Sequence, residues 1–208
     1  MKNNLVIMGL VLILASACST QKIGFVSAEP YFDPRPERLN KTLNIYIENM
    51  PDTLLMEGVK TKVTLTAFRT SFMHMLKSTF TVPFSEVVFT NKIPETGLAL
   101  YIHHVHPYWT ISQYNSFGTP DGRTFSVSVI AAALDVRSTL YDSGVELSSM
   151  NDGRVLSRLT TARTTGPTAR EERKKSVADA FREAAQRMND ELFKPDIIRK
   201  IKKRPEQE

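Results

Sequence analysis

Hydrophobic and polar residues alternate over several stretches of this chain, which is typical of β-strands with one buried face. The alternation predicts strands at residues 43–47, 98–113, 125–141 and 155–165, and a short β-branched run predicts another at 86–90. We expect Pro107 to interrupt the strand at 98–113, because proline cannot donate to a strand ladder. The turn-rich stretch 115–122 predicts the loop of a hairpin, and Asp142-Ser143-Gly144 and Asn151-Asp152-Gly153 predict two further turns.

Apolar residues recur every three or four positions in two other segments, as expected of amphipathic helices. The first helix is predicted at residues 62–79, although the alternation of Thr61–Thr66 also resembles a strand. The second begins at Thr168-Ala169-Arg170-Glu171, which matches a capping box, and carries an apolar stripe from Val177 to Leu192. Pro195 is expected to stop it, and its stripe is expected to pack into the core.

The order of elements is strand, helix, several antiparallel strands and a final helix. Two amphipathic helices bury their apolar stripes economically by covering one face of a sheet. The sequence therefore predicts an α+β fold, with an antiparallel sheet of about five to six strands and two helices packed on one face. This domain is assigned to residues 39–194, and a basic C-terminal tail to residues 195–208.

A proline-containing segment, residues 18–38, precedes the predicted domain. Pro30, Pro34 and Pro36 favour an extended tether, since proline stiffens a chain toward a rise of ~3.1 Å per residue. The alternative is a segment that lies on the domain, with Phe25, Tyr31 and Phe32 docked. The sequence leaves both possibilities open.

The chain begins with an apolar leader that ends at its only cysteine. Lys2 precedes an apolar run over residues 5–14, and Ala15-Ser16-Ala17 leads to Cys18, which is the layout of a secretory signal. The run is shorter than the ~20 residues that span a bilayer. The segment resembles the lipobox of bacterial lipoproteins, with Ala15 where that family prefers leucine. An uncleaved anchor and a chance match are the alternatives.

The lipobox resemblance implies that residues 1–17 are a signal peptide and that Cys18 is acylated. An acylated Cys18 leaves no thiol for a disulfide, a thiolate metal site or a nucleophile. Ser19, where inner-membrane lipoproteins carry aspartate, implies the periplasmic face of the outer membrane. The rhythm Leu134-Asp135, Asp142-Ser143-Gly144, Gly153-Arg154-Val155 is similar to small envelope α/β domains, such as the amino-terminal domain of the Tol–Pal translocation protein and domains of lipopolysaccharide-assembly and curli-secretion lipoproteins.

Composition narrows the classes of function. The chain has 27 Lys plus Arg against 22 Asp plus Glu, a net charge of +5, which is weaker than the basic bias of most nucleic-acid binders. It has no nucleophile elbow, no zinc-protease motif and no phosphate loop. We therefore expect no enzyme, no cofactor and no nucleic-acid partner.

Three of the four histidines stand together in His103-His104-Val105-His106. Imidazoles are common zinc and copper ligands. On a regular strand, His104 and His106 lie on one side and His103 on the other. The sequence thus leaves two interpretations, a histidine-based metal site or imidazoles that are solvated or hydrogen-bonded.

Two further groups are candidates for partner binding. Tyr108 and Trp109 form an aromatic pair suited to a peptide or a glycan, and burial of Trp109 in the core is the alternative. Lys200 and Lys203 belong to a basic amphipathic segment suited to anionic lipid or an acidic partner, and a solvated, frayed terminus is the alternative. The sequence therefore predicts a lipid-anchored, non-catalytic binding, assembly or accessory factor, whose partner is another envelope protein or a glycan.

Overall fold

The computed structural model of the chain describes residues 21–32, 36–58, 62–118, 124–151, 153–157, 162–163 and 168–203. Its helices are α1 (Phe68–Phe80), α2 (Ala169–Leu192) and α3 (Pro195–Lys203). Its strands are β1 (Gln21–Ile23), β2 (Leu39–Ile47), β3 (Leu54–Met56), β4 (Val63–Leu65), β5 (Phe84–Thr90), β6 (Leu98–Gly118), β7 (Thr124–Asp142), β8 (Val145–Met150), β9 (Arg154–Leu156) and β10 (Ala162–Arg163). The predicted α+β class is confirmed.

The main sheet has seven strands in the described part of the chain, in the order β10-β7-β6-β2-β5, with β8 and β9 also paired to β7. It is mixed, not purely antiparallel as expected. β2 runs parallel to β5, because α1 returns the chain to the same end of the sheet before β5 begins. It also runs parallel to β6, which follows β5 after residues 91–97. β1, β4 and β3 form a second, three-stranded sheet.

The first predicted helix, at 62–79, is wrong at its start. Residues 63–65 form β4, in which Val63 and Leu65 are buried, and α1 begins at Phe68. The helix receives its cap from elsewhere in the chain, since Oδ1 of Asp52 accepts a hydrogen bond from the backbone N–H of Thr70 at 3.1 Å. A carboxylate at this end of a helix is also favoured by the helix dipole.

The long C-terminal helix is confirmed at both ends, since it runs from Ala169 to Leu192 and stops before Pro195, but its predicted capping contact is wrong. Thr168 has helical dihedral angles, and its hydroxyl contacts the side chain of Glu172 at 2.7 Å instead of capping a backbone N–H. Pro195 follows the end of α2 and is the first residue of α3. Proline suits that position because the first helical N–H has no intrahelical partner.

Strand boundaries also differ from expectation. β6 continues through Pro107 and over residues 115–118, which were expected to be loop. Proline is tolerated there because β2 pairs with β6 only as far as Ile102, so Pro107 needs no partner on that side. Residues 119–122 of the predicted hairpin loop, Asp152 of the second turn, and residues 158–161 and 164–165 of the last predicted strand lie outside the described residues.

Aromatic side chains join the two long helices into one core. Phe181 of α2 packs against Phe68 and Phe72 of α1, with ring centroids 5.7 and 5.8 Å apart. Ser176 of α2 accepts a hydrogen bond from the backbone N–H of Ala132 in β7 at 2.9 Å. The helices therefore cover one face of the main sheet, as predicted.

Both ends of the described chain belong to the fold. Ile23 and Val26 are each 2% exposed, so residues before Leu39 pack on the domain. Tyr31, one of the residues considered for docking, is 67% exposed. At the other end, α3 buries Ile197 and Ile201. No helix in the described ranges is long and apolar enough to cross a bilayer.

Candidate functional site

The face of the main sheet opposite the helices carries a group of aromatic and imidazole side chains. On β6, Leu100, Ile102 and Trp109 are directed into the core and are at most 1% exposed. The residues of opposite phase, apart from the buried Ala99, are half-buried or exposed. We call this surface the open face, and its rings belong to Tyr46, Tyr101, His103, His104, His106 and Tyr108.

A β-bulge brings His103 onto the open face. The pairing of β6 with β7 shifts register between Ile102 and His104, so that strict alternation is lost at this point. His103 Nε2 lies 2.8 Å from the hydroxyl oxygen of Thr139, whose cross-strand partner is Tyr101. The prediction that His103 points away from His104 and His106 is therefore wrong.

The rings of the open face form two contact groups. Tyr101 contacts Tyr46 of β2 with centroids 5.2 Å apart and His103 with centroids 3.8 Å apart. His106 lies between His104 and Tyr108, with both centroid distances 6.1 Å and interplanar angles of 23° and 18°. The second group is thus a row of nearly parallel rings along β6, which presents a flat, elongated surface.

Tyr101 is the titratable group on this face that the structure perturbs most clearly. Its hydroxyl donates a hydrogen bond to Oε2 of Glu48. That hydrogen bond, together with partial burial, raises the pKa of Tyr101 to about 12. The phenol is therefore held in its neutral, donating form across the physiological pH range.

Charged residues flank the ring row on the neighbouring strand. Arg137 and Asp135 of β7 are the cross-strand partners of His104 and His106, and their side chains form an ion pair at 3.7 Å. The Arg137 side chain is 56% exposed, so this pair contributes little to stability. The open face therefore combines aromatic surface with donors and acceptors of both charges.

The geometry does not favour a metal site. Within the described residues, no group of three His, Asp, Glu or Cys side chains is arranged to hold a metal ion. The ring of His103 is engaged by Tyr101 and Thr139, and His74 lies on α1, where its ring contacts Phe25.

The other predicted partner-binding residues are not together. Tyr108 lies on the open face, but Trp109 is 1% exposed in the core. Lys200 and Lys203 are exposed on α3, and Lys202 of the same helix pairs with Glu37 at 2.5 Å, near the start of β2. Tyr108 is far from that end of the sheet, so the basic helix and the ring row are separate surfaces. Cys18 lies outside the described residues.

Sequence reasoning missed Tyr46, Tyr101 and Glu48 as members of the site. The sequence did contain an indication of them. Tyr46 and Glu48 alternate with the buried residues of β2, and Tyr101 alternates with those of β6. Aromatic residues in the solvent phase of two strands would have indicated a surface patch, had the pairing of the strands been known.

A groove of about 370 Å³ lies on the helix side, between β9 and α2. Charged side chains line it, including Glu183, Arg187 and Asp190. Arg187 donates to the backbone oxygen of Arg154 at 2.6 Å and to Glu191 at 2.5 Å, so its guanidinium joins β9 to the helix. The open face is therefore the better candidate for an interaction surface.

Comparison with known proteins gives limited information. Neither a protein-family model nor a curated protein sequence matches the chain. Among solved structures, the chain is similar to a DUF330 protein from Xanthomonas campestris (8% identity, 88% of this chain and 100% of that chain covered, TM-score 0.49). It is also similar to a minor lipoprotein from Acinetobacter baumannii (11% identity, 73% of this chain and 89% of that chain covered, TM-score 0.39). A third similar structure is lipoprotein B from Nitrosomonas europaea (13% identity, 80% of this chain and 88% of that chain covered, TM-score 0.40). Likenesses at these TM-scores do not assign a function.

Proposed function

We propose that this chain is a bacterial envelope lipoprotein that is held on a membrane by acyl chains on Cys18 and binds a partner protein through the open face. The lipobox-like leader supports the anchor. Ser19 supports the periplasmic face of the outer membrane, as the resemblance to lipoproteins implies. The proposed role is non-catalytic, in the assembly or support of an envelope complex.

The observation that carries the binding role is the row of rings on a sheet face that none of the described helices covers. Aromatic side chains contribute large contact areas at interfaces, and their polar edges still find hydrogen-bond partners. A flat, elongated row of rings suits a protein surface better than a small molecule, because small ligands are bound in concave sites. A glycan partner is the alternative outcome of the binding test.

The anchor is tested by Cys18→Ala in cells. We expect the variant to fold and to leave the membrane fraction, because two or three acyl chains bind stably and the described helices offer no spanning segment. Wild-type protein, fractionated in parallel, is the control. Variant protein that stays in the membrane after a high-salt wash would contradict lipidation as the anchor.

The binding role is tested by in-cell crosslinking with the lipidated protein. The double variant His106→Ala and Tyr108→Ala removes two neighbouring rings from the row, and Tyr31→Ala removes an aromatic ring that is 67% exposed elsewhere. If the row is a hot spot worth ~2 kcal/mol, capture falls about 30-fold in the double variant and is unchanged in the control. Equal capture by both variants would refute the role of the open face.

A further inference from the structure

The C-terminal helix α3 is held firmly on the domain. Ile197 and Ile201 of this helix are 5% and 2% exposed. Phe193, two residues before the helix, packs against Phe80 and Phe84, with ring centroids 5.7 and 5.1 Å apart. The described part of the C-terminal tail is therefore a docked helix and not the frayed terminus that the sequence left open as an alternative.

The outward side of α3 is basic. Arg199 and Lys203 are four residues apart, so in a helix of 3.6 residues per turn they share one side, which is opposite to the buried Ile201. Two more cations flank that side, and all four side chains are exposed. We call this surface the basic face, and its members are Arg199, Lys200, Lys202 and Lys203. Four cations therefore project together from about one and a half turns of a fixed helix.

Nearby carboxylates compensate only part of this charge. Lys202 forms an ion pair with Glu37 at 2.5 Å, and among the described residues none forms an ion pair with another member of the basic face. Asp196 is exposed in the first turn of α3, but Lys194, exposed directly before the helix, adds a further cation. The negative end of the helix dipole offsets about half a charge. The basic face therefore keeps an excess of positive charge toward solvent.

The basic face and the start of the described chain lie at opposite ends of α2. Arg173, in the first turns of α2, donates a hydrogen bond to Gln21 at the start of β1. α3 follows the other end of α2, after Leu192. From Arg173 to Leu192 the helix rises about 28 Å at 1.5 Å per residue. The basic face is therefore remote from the end of the domain at which β1 begins.

We propose that the basic face of α3 binds an acidic segment of a partner protein. Carboxylates are the complementary groups, because arginine and lysine donate charge-assisted hydrogen bonds to them. An anionic bilayer fits less well, since a helix that lies in a membrane surface inserts its apolar side, and the apolar side of α3 is buried in the domain. The basic face would thus be a second interaction surface. It depends neither on the open face nor on the lipidation of Cys18.

The test measures binding of a fluorescein-labelled oligoglutamate peptide to the full chain in non-ionic detergent, by fluorescence anisotropy. It is done at physiological ionic strength, at which charges more than ~8 Å apart are largely screened. The double variant Arg199→Gln and Lys203→Gln removes two cations from the basic face. The matched control, Lys174→Gln and Lys175→Gln, removes the same charge from exposed positions near the start of α2. We expect the first variant to bind about five- to tenfold more weakly and the control to bind as wild type does.

A second pair of variants separates charge from folding. Arg199→Lys with Lys203→Arg keeps both charges and should bind within about twofold of wild type. The ring-row variant His106→Ala and Tyr108→Ala should also keep the peptide affinity, so that a failure of the basic face leaves the proposed role of the open face untouched, and the reverse.

Three results would overturn the proposal. The first is wild-type protein that does not bind the peptide. The second is an equal loss in the variants of α3 and α2, which would show a response to net charge alone. The third is a Cys18→Ala chain that cosediments with phosphatidylglycerol vesicles but not with phosphatidylcholine vesicles, and does so only while Arg199 and Lys203 are present. That result would assign the basic face to an anionic membrane instead of a protein.

Discussion

The contact between the small sheet and β6 depends on a glycine, and replacing it should destabilise the domain strongly. Gly58 has φ +112°, and a Cβ atom at this position would lie 2.1 Å from the backbone oxygen of Trp109. The neighbouring backbone is fixed as well, because the N–H of Trp109 donates to the oxygen of Glu57 at 2.6 Å. Gly58→Ala must therefore strain its own backbone and also displace β6 or β3.

Three other glycines divide this effect into its parts. Gly24 lacks a positive φ, and a Cβ atom there would meet no atom within 4 Å, so Gly24→Ala should be neutral or slightly stabilising, by up to about 0.5 kcal/mol. Gly144 has φ +76° in open space, and Gly144→Ala should cost about 1 kcal/mol of backbone strain. Gly153 lacks the positive φ, but its Cβ would lie 1.7 Å from the Val136 oxygen, and overpacking costs about 1–3 kcal/mol.

Gly58→Ala combines both costs, so we expect a loss of about 2–5 kcal/mol in the free energy of unfolding. Urea titration of the purified Cys18→Ala form measures this loss, provided that the m-value is unchanged. The fluorescence of Trp109, the sole tryptophan, reports the same contact, and it should shift to the red as β3 separates from β6. Equal urea midpoints for Gly58→Ala and Gly24→Ala would refute the described contact.

Two further predictions concern single polar contacts. Glu48→Gln should lower the pKa of Tyr101 from about 12 toward 10, measured by ultraviolet titration of tyrosinate with Tyr101→Phe to assign the signal. Because the pKa is raised in the folded state, the contribution of Tyr101 to stability is complete below about pH 10 and is lost as the pH rises to about 12. Asp52→Ala should lower the free energy of unfolding by about 1 kcal/mol, because it removes the acceptor for the Thr70 N–H. Asp52→Asn keeps an acceptor and should lower it by only about a few tenths of a kcal/mol. Similar losses for both variants in thermal unfolding would contradict capping by Asp52.

Local periodicity was sufficient for the elements that it marks clearly. β2, β7 and α2 each have long, regular apolar patterns, so the sequence predicted them and the α+β class correctly. β1 and β4 have three residues each, too few to show a period. The parallel pairing of β2 depends on where α1 returns the chain, and no local pattern encodes that return.

The candidate site was predictable only in part, for the same reason. The three clustered histidines and Tyr108 were evident in the sequence, but the bulge that moves His103 to the open face depends on the register of β6 against β7. The grouping of Tyr46 with Tyr101 depends on the neighbouring register of β2 against β6. Local sequence does not show which residues of neighbouring strands pair, so neither register could be predicted from it.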